Sequence, residues 1–239
     1  RMSLQDLAKA TYLTACRLLL HPTLYYEWKH PRITRHNERP VEFAFAFRCL
    51  ARYFPADLLD VGPGKTAWPH LLSSCGFRVT AVDKIEGYWR GTFFNRHFYV
   101  KNEDITRPNP GEAYDFITCI SVLEHIEDHE AAFSGLCQRL RPGGHLVLTC
   151  PYNDRTFIGN AYSLPGSNVK TPPGYICRIY SRCELERWLS RCAVSIVDQE
   201  YYQVFTGPYW TTGEWSLPVR RVDRSERHHL TCLLFEKPV

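Results

Sequence analysis

The sequence of 239 residues lacks the features that define several protein classes. It contains no apolar run of the roughly 18 residues that a membrane-spanning helix needs, because Arg17 and His21 interrupt the longest one. The ten cysteines form no C-x-x-C pair, which argues against a zinc ribbon or a thioredoxin-type site. The composition is even and no repeat of fixed period is present, so repeat, collagen and coiled-coil proteins are excluded.

The sequence also lacks a large excess of charge of either sign. The sequence has 29 Lys and Arg residues against 25 Asp and Glu residues, which gives a formal net charge of +4. This is well below the charge of a protein that coats nucleic acid, so we expect no nucleic-acid partner. Several cysteines lie in apolar strand-like runs, and no signal peptide is seen. We therefore expect a reducing, cytoplasmic location.

Hydrophobic periodicity divides the chain into an N-terminal helical extension and an α/β domain. Residues 1–53 contain one amphipathic helix, expected to end at Pro22, and a second over 41–53. We expect this extension to form part of the substrate pocket. Residues 54–239 contain strand-like segments that alternate with helices, and two final strands. Such alternation predicts a Rossmann-like, doubly wound and mainly parallel sheet in a single domain.

The segment DVGPGKT at residues 60–66 is a glycine-rich turn that follows an apolar strand. One interpretation is a phosphate-binding Walker A loop, but Leu59 stands where that loop needs its first glycine. A second is a dinucleotide fingerprint, since Gly62, Gly64 and Ala67 satisfy G-x-G-x-x-A. A lone match of that kind is a weak signal.

A third interpretation rests on acids at the ends of three successive strands. Asp60 ends the first strand, Asp83 the second and Asp104 the third. Glycines 62 and 64 allow close approach of the backbone to a ligand, Asp83 is placed to accept from ribose hydroxyls, and Asp104 from an adenine amino group. Each acid alone is better explained as a helix cap or turn residue. Together they predict a nucleoside ligand that carries positive charge and no phosphates.

These segments resemble the class I S-adenosylmethionine-dependent methyltransferases. The matching segments are LLDVGPG at 58–64, VTAVDK at 79–84, EDI at 103–105, YDFITCISVLEHI at 114–126 and LRPGGHLVLTCP at 140–151. The resemblance implies a seven-stranded sheet with an antiparallel last strand, and S-adenosylmethionine as cofactor. One departure is Thr66, where many members carry another glycine.

The resemblance also implies which residues bind the cofactor. They would be Asp60, Gly62, Pro63 and Gly64 for the methionine part, Asp83 and the adjoining Lys84 on the ribose side, Asp104 and Ile105 for the adenine, and Ser121 beside the sulfonium.

His125 is the candidate catalytic base, because it follows the fourth strand and an alcohol acceptor must lose a proton. A structural role for His125 in packing the loop is the alternative, and Glu124 is placed to orient it. His125 and His129 have a spacing that suits two metal ligands, but no third ligand is identifiable. We therefore expect no metal site.

Two loops are expected to form the acceptor pocket, at residues 151–180 and 205–228. The candidate substrate-binding residues are Tyr152, Asn153, Tyr209, Trp210 and Arg35, the last with its basic neighbours Arg32 and Arg39. The rings suit stacking on a sugar or an aromatic acceptor. An aromatic cluster that packs within its own loop is an equally good interpretation of the second loop.

The leading hypothesis is methyl transfer to a hydroxyl group of a small molecule, such as a sugar, a glycan or a secondary metabolite. N-methylation of an amine or amino sugar is the alternative. A protein that binds the cofactor without turnover belongs to another class, yet the glycine turn and the three acids are intact. A dehydrogenase fits less well, because residues 152–180 contain no Tyr-x-x-x-Lys pair.

Overall fold

The computed structural model describes residues 3–30, 36–85, 95–107, 111–171 and 173–239. The chain divides into two compact units, residues 1–37 and residues 38–239.

The first unit contains one long helix, α1, over Leu4–Lys29. Ser3 and Asp6 form a capping box, in which each side chain accepts a hydrogen bond from the other residue's backbone N–H at 3.1 Å. The helix continues through Pro22, so the prediction that it ends there is wrong. Proline removes a single backbone donor, and the turns on either side keep theirs. Among the described residues, no helix has both the length and the apolar character needed to cross a bilayer.

The second unit is built on one sheet of eight strands in the order β3-β2-β1-β4-β5-β8-β6-β7. The strands are β1 Asp57–Val61, β2 Arg78–Asp83, β3 Val100–Asn102, β4 Tyr114–Ile120, β5 Leu140–Pro151, β6 Ser195–Phe205, β7 Trp215–Val222 and β8 Leu230–Glu236. Strands β1 to β5 pair in parallel. Strand β8 pairs antiparallel with both β5 and β6. The Rossmann-like, mainly parallel sheet with an antiparallel last strand is therefore confirmed.

The sheet has eight strands, one more than the resemblance implies. The additional strand is β7, within the segment 205–228 that the sequence predicts to be a loop. It forms an antiparallel edge hairpin with β6, in which Tyr202 pairs with Arg221. The ring of Trp215, at the start of β7, lies 4.6 Å from the ring of Phe205. Cross-strand aromatic contact of this kind stabilises a hairpin, which explains the extra strand.

In the described part of this unit, four helices cover the sheet: α2 Arg39–Tyr53, α3 Trp68–Ser74, α4 His129–Gln138 and α5 Arg182–Arg191. Successive residues of a strand point to opposite faces. Accordingly Leu58 packs in a core cluster with Phe45 of α2, whereas Leu59 packs in another with Phe133 of α4 and Trp188 of α5. Both faces of the central strands are buried, so their apolar sequences need no polar alternation.

Helix α2 lies within the second compact unit, which begins at Glu38. Its buried residues Phe45, Ala46 and Leu50 contribute to the core cluster that contains Leu58. The start of α2 therefore belongs to the same compact unit as the ends of the strands. The role expected for residues 1–53 in a substrate pocket stays a prediction.

A buried guanidinium joins the end of α4 to the loops that precede β4. Arg139 is 1% exposed, and its Nη2 donates to Glu112 Oε2 at 2.9 Å. Its Nη1 donates to the carboxylate of Glu103, whose side chain is also buried. The guanidinium lies over the ring of Tyr114, 5.3 Å from its centroid. Arg139 thus neutralises an acid that is largely withdrawn from water.

We expect Arg139→Met to lower the free energy of unfolding by about 3–5 kcal/mol, because Glu103 would stay buried without this guanidinium. Urea denaturation measures the change. Glu112→Gln is the matched control, since the side chain of Glu112 is 47% exposed, and we expect it to change stability by less than about 1 kcal/mol. Equal effects of the two variants would contradict the importance of burial here.

Candidate active site

Asp60 lies at the carboxyl edge of the sheet, near the end of β1, and is almost completely buried. Its Oδ1 accepts a hydrogen bond of 2.7 Å from the hydroxyl of Thr118 on β4. Its Oδ2 is buried and has no hydrogen-bond partner in the described part of the chain. Burial raises the pKa of Asp60 to about 7, with a smaller contribution from the charge of Asp83. A cationic group would satisfy the second oxygen.

The glycine turn after β1 depends on two residues with positive φ. Gly62 has φ +72° and donates its N–H to the carbonyl of Val82 at 2.8 Å. A Cβ on Gly62 would lie 2.5 Å from both methyl groups of Val122. Gly64 has φ +54° and open space around its missing side chain. Pro63 lies between them, and its carbonyl accepts from the Thr66 N–H at 3.0 Å.

Asn95 also holds this turn, and sequence reasoning missed it. Its Nδ2 donates to the carbonyls of Gly64 and Thr66, both at 2.9 Å, and the side chain is 9% exposed. The Gly64 N–H donates to Asp83 Oδ2 at 3.1 Å. Burial raises the pKa of Asp83, and this hydrogen bond partly opposes the shift. The turn is therefore held to β2 as well as to β1.

The third acid lies beside the second strand end. Asp104 Oδ2 accepts a hydrogen bond of 2.7 Å from Lys84 Nζ, and its Oδ1 accepts from the hydroxyl of Thr106. Burial alone would raise the pKa of Asp104, but these hydrogen bonds outweigh it and the pKa is lowered. Ile105 is 5% exposed and packs in the core cluster of Leu59. The structure thus brings Asp60, Asp83 and Asp104 to one edge, as their positions in the sequence predict.

The end of β4 is held by a buried glutamate that sequence reasoning missed. Glu42 of α2 is fully buried, and its Oε1 accepts from the hydroxyls of Ser121 and Thr149, both at 2.6 Å. Its Oε2 accepts from Arg39 Nη1 at 3.0 Å. Ser121 has φ +50°, and its N–H donates to the Thr149 carbonyl at 3.1 Å. Glu42 therefore connects α2 with the ends of β4 and β5.

A small cleft lies where these elements meet. Arg39, Asp60, Gly62 and Ile120 are among the residues that line it. Arg39 Nη1 also donates to the carbonyl of Ile120 at 3.1 Å. A guanidinium and an unpartnered carboxylate oxygen on one cleft suit a ligand that carries both a carboxylate and an ammonium group.

His125 lies in a 3₁₀ turn over Leu123–His125, directly after β4. Its Nδ1 is 2.7 Å from the carbonyl oxygen of Ile176. A carbonyl only accepts, so Nδ1 carries the proton and Nε2 keeps a free lone pair. Burial lowers the pKa of His125, and the charges of Arg39 and Arg178 lower it further. His125 is therefore a neutral base at pH 7, with its side chain 28% exposed.

Glu124 stands beside this base. Its Oε1 is 3.7 Å from His125 Nε2, and its Oε2 is buried without a hydrogen-bond partner among the residues described. Burial raises the pKa of Glu124 to about 8. Arg178, which sequence reasoning missed, fixes the turn by donating to the carbonyls of Ile126 at 2.5 Å and Glu127 at 2.8 Å.

The candidate substrate-binding residues separate into two groups. Tyr152 is fully buried and donates to Asp154 at 2.6 Å, and Trp210 is 8% exposed with its ring 5.1 Å from that of Phe205. Asn153 and Tyr209 both line an open cavity of about 770 Å³. Their two loops thus meet, while Tyr152 and Trp210 belong to the core.

Two expectations remain outside these observations. Arg35 lies outside the described residues, so its assignment to the substrate stays a prediction. Within the described ranges, no three His, Cys, Asp or Glu side chains come together as a possible metal site.

Comparison with protein families places this site in a known context. Residues 32–193 match the family profile described as a methyltransferase domain. A ubiquinone biosynthesis O-methyltransferase of Vibrio atlanticus is 26% identical over 143 residues, which is 55% of this chain and 58% of that protein. The corresponding enzyme of Xanthomonas euvesicatoria is 26% identical over 189 residues, 70% of this chain and 74% of that protein. With the Vibrio relative, the match spans little more than half of its length.

Solved structures share the fold at low sequence identity. The N-methyltransferase NodS of Bradyrhizobium japonicum, crystallised with S-adenosylhomocysteine, has a TM-score of 0.53 at 18% identity, over 84% of this chain and 88% of that one. The 1,6-didemethyltoxoflavin-N1-methyltransferase of Burkholderia thailandensis, crystallised with its substrate and S-adenosylhomocysteine, has a TM-score of 0.54 at 17% identity, over 97% of this chain and 90% of that one.

The two glycines of the turn allow a matched test of its packing. We expect Gly64→Ala to cost about 1–2 kcal/mol of stability, from positive φ alone. Gly62→Ala should cost about 1–3 kcal/mol more, because its Cβ would also overlap Val122. The double variant Gly62→Ala/Val122→Ala should recover part of that difference. Thermal denaturation measures all three, and equal losses at the two glycines would show that Val122 does not restrict the turn.

Proposed function

The chain belongs to the class I S-adenosylmethionine-dependent methyltransferase family, and we propose that it transfers the methyl group of S-adenosylmethionine to a hydroxyl group of a small molecule. The observation that carries this proposal is His125, a neutral base with a free Nε2 in the 3₁₀ turn that follows β4. A hydroxyl acceptor needs such a base, because its proton is not released readily at neutral pH.

The residues of the cleft fit the cofactor's methionine part. The unpartnered Oδ2 of Asp60 suits the ammonium group, and the guanidinium of Arg39 suits the carboxylate. Glu42 holds Arg39 in place. The sequence predicts Asp60 for the methionine part of the cofactor, but it suggests Arg39 only as a substrate contact. We therefore add Arg39 to the residues proposed to bind the methionine part.

The remaining cofactor contacts follow the strand ends. Asp83 suits the ribose hydroxyls, and Asp104 with the buried Ile105 suits the adenine. When bound, S-adenosylmethionine supplies a methyl group on a positively charged sulfur, which leaves as a neutral thioether. The protein's part is to orient the acceptor and to accept its proton at His125 Nε2.

The acceptor class rests on the site and on the relatives. The curated relatives are named O-methyltransferases, which supports a hydroxyl acceptor. The open cavity beside Asn153 and Tyr209 has charged side chains on its walls, among them Asp154, Arg155 and Arg227. It suits the distal part of a polar acceptor, such as a sugar or another hydroxylated metabolite.

N-methylation is the second candidate, favoured by the acidic surroundings of the base. Glu38 and Glu124 interact electrostatically beside His125, which suits an amine acceptor. Two structural neighbours are N-methyltransferases. An assay that measures S-adenosylhomocysteine formation on phenols, sugars and amines separates the two candidates, because only one acceptor class should show saturable turnover.

Asp83→Ala should weaken binding of S-adenosylmethionine by about 1–3 kcal/mol, since the ribose hydroxyls would lose their acceptor. Titration calorimetry measures the affinity. Asp198→Ala, on an exposed position of β6, serves as control and should bind normally. Unchanged affinity in a folded Asp83→Ala protein would show that Asp83 holds the glycine turn and does not bind the cofactor.

His125→Ala should lower kcat by roughly 10²–10⁴-fold and leave cofactor affinity nearly intact. In the native enzyme the rate should fall as pH decreases through the pKa of His125, which lies below its ordinary value of 6.5 because of burial. The variant should lack this acidic limb. Single-turnover rates against pH measure both effects. A variant that keeps the rate and the limb would assign His125 to packing, and would favour an amine acceptor.

A further inference from the structure

Three carboxyl groups in the field of the cleft residue Arg39 each keep a buried oxygen that lacks a hydrogen-bond partner within the described structure. These atoms are Glu38 Oε2, Asp60 Oδ2 and Glu124 Oε2. Arg39 interacts electrostatically with all three residues, and its Nη1 donates to a fourth acid, Glu42, and to the carbonyl of Ile120. Unpartnered buried carboxylate oxygens are unfavourable unless a cation or a donor completes them. The site is therefore built to receive positive charge.

The ammonium group of S-adenosylmethionine is the proposed partner of Asp60 Oδ2. Glu124 lies three residues after Ser121, the residue expected to line the sulfonium, and it interacts electrostatically with the cleft residue Arg39. Glu124 is 2% exposed, and Glu38 and Glu42 lie near enough to raise its pKa further. This leaves the second positive charge of the cofactor, on sulfur, as the natural partner of Glu124.

We propose that Glu124 is a specificity-determining residue, which makes the site prefer the positively charged sulfur of S-adenosylmethionine over the neutral sulfur of S-adenosylhomocysteine. The inference rests on the proposed cofactor, and it concerns the exchange of cofactor for product. After methyl transfer the sulfur is neutral, so Glu124 loses its counter-charge and takes up a proton from solvent. Product is then held less tightly than cofactor.

The direction of the pH dependence follows from the state of Glu124. In the free protein its pKa is raised to about 8, so it is protonated below that pH. A bound sulfonium favours the ionised form, and binding therefore releases a proton. Affinity for S-adenosylmethionine should rise as pH increases towards 8, whereas S-adenosylhomocysteine, with the same ammonium and carboxylate groups, should show a smaller rise.

Other groups face Glu124 and must be considered. The titratable and charged neighbours are His125 on its own turn, Glu38, Arg39 and Glu42 on α2, Cys119 on β4, Cys150 on β5, and Tyr162, Cys177, Arg178 and Tyr180 on the loop after β5. Burial raises the pKa of each of these thiols and phenols, so they stay neutral between pH 5.5 and pH 7. Glu38 and His125 are the neighbours that titrate nearby, since burial raises the pKa of Glu38 to about 7 and lowers the pKa of His125 from 6.5.

The experiment compares the two ligands by titration calorimetry between pH 5.5 and pH 7, in buffers of different ionisation enthalpy. For the native protein, the preference for S-adenosylmethionine over S-adenosylhomocysteine should increase about thirtyfold across this range. Binding of S-adenosylmethionine should release close to one proton more than binding of S-adenosylhomocysteine. Glu124→Gln should reduce both differences to near zero. Glu186→Gln, on an exposed position of α5, is the control and should behave as the native protein.

Equal proton release for the two ligands, or a Glu124→Gln protein that keeps the native preference, would overturn the proposal. If Glu124→Gln does not fold, Glu38→Gln provides the test: it should retain the extra proton release, and its loss would assign the effect to Glu38. Failure of the protein to bind either ligand would instead contradict the proposed function. Binding is measured without an acceptor, so an N-methyl or O-methyl outcome does not affect this result.

Discussion

The buried carboxylate of Glu42 joins three parts of the chain at the working edge of the sheet. A carboxylate withdrawn from water is unfavourable by itself, and two hydroxyls and a guanidinium stabilise this one. Each donor serves a different element: Ser121 directly follows β4, Thr149 lies near the end of β5, and Arg39 begins α2. Glu42 thus helps to fix both the guanidinium of Arg39 in the cleft and the hydroxyl of Ser121.

The electrostatic character of the site follows from the same edge. Acids from α2, β1 and the turn after β4 share the field of Arg39, in surroundings where water is largely absent. Low dielectric strengthens every interaction with a charged ligand there. A cofactor that carries ammonium and sulfonium charges is suited to such a cleft, and a polyphosphate nucleotide is not. This agrees with the absence of a complete Walker A loop in the sequence.

The proposed base, His125, is prepared by the backbone rather than by a charged partner. The carbonyl of Ile176 fixes the tautomer of His125, and Arg178 holds the two backbone segments together by donating to carbonyls of the opposite turn. The loop after β5 therefore supports the proposed chemistry by positioning His125, while the proton is accepted outside the loop, at His125 itself. Tyr152, at the start of that loop, is fully buried and supports the loop from inside the core.

The antiparallel last strand was implied by the resemblance to a known family. The sequence by itself determined the mainly parallel sheet, the glycine turn and the three acids at successive strand ends. These features depend on short-range patterns: apolar runs, positive-φ glycines, and an acid after a strand. Tertiary structure alone decided the roles of Glu42, Asn95 and Arg178, and the eighth strand. Glu42 meets Thr149 across 107 positions of the chain, and Asn95 meets Gly64 across 31. No local pattern records such pairs, because they form only when folded strands and helices bring distant polar groups to one buried edge.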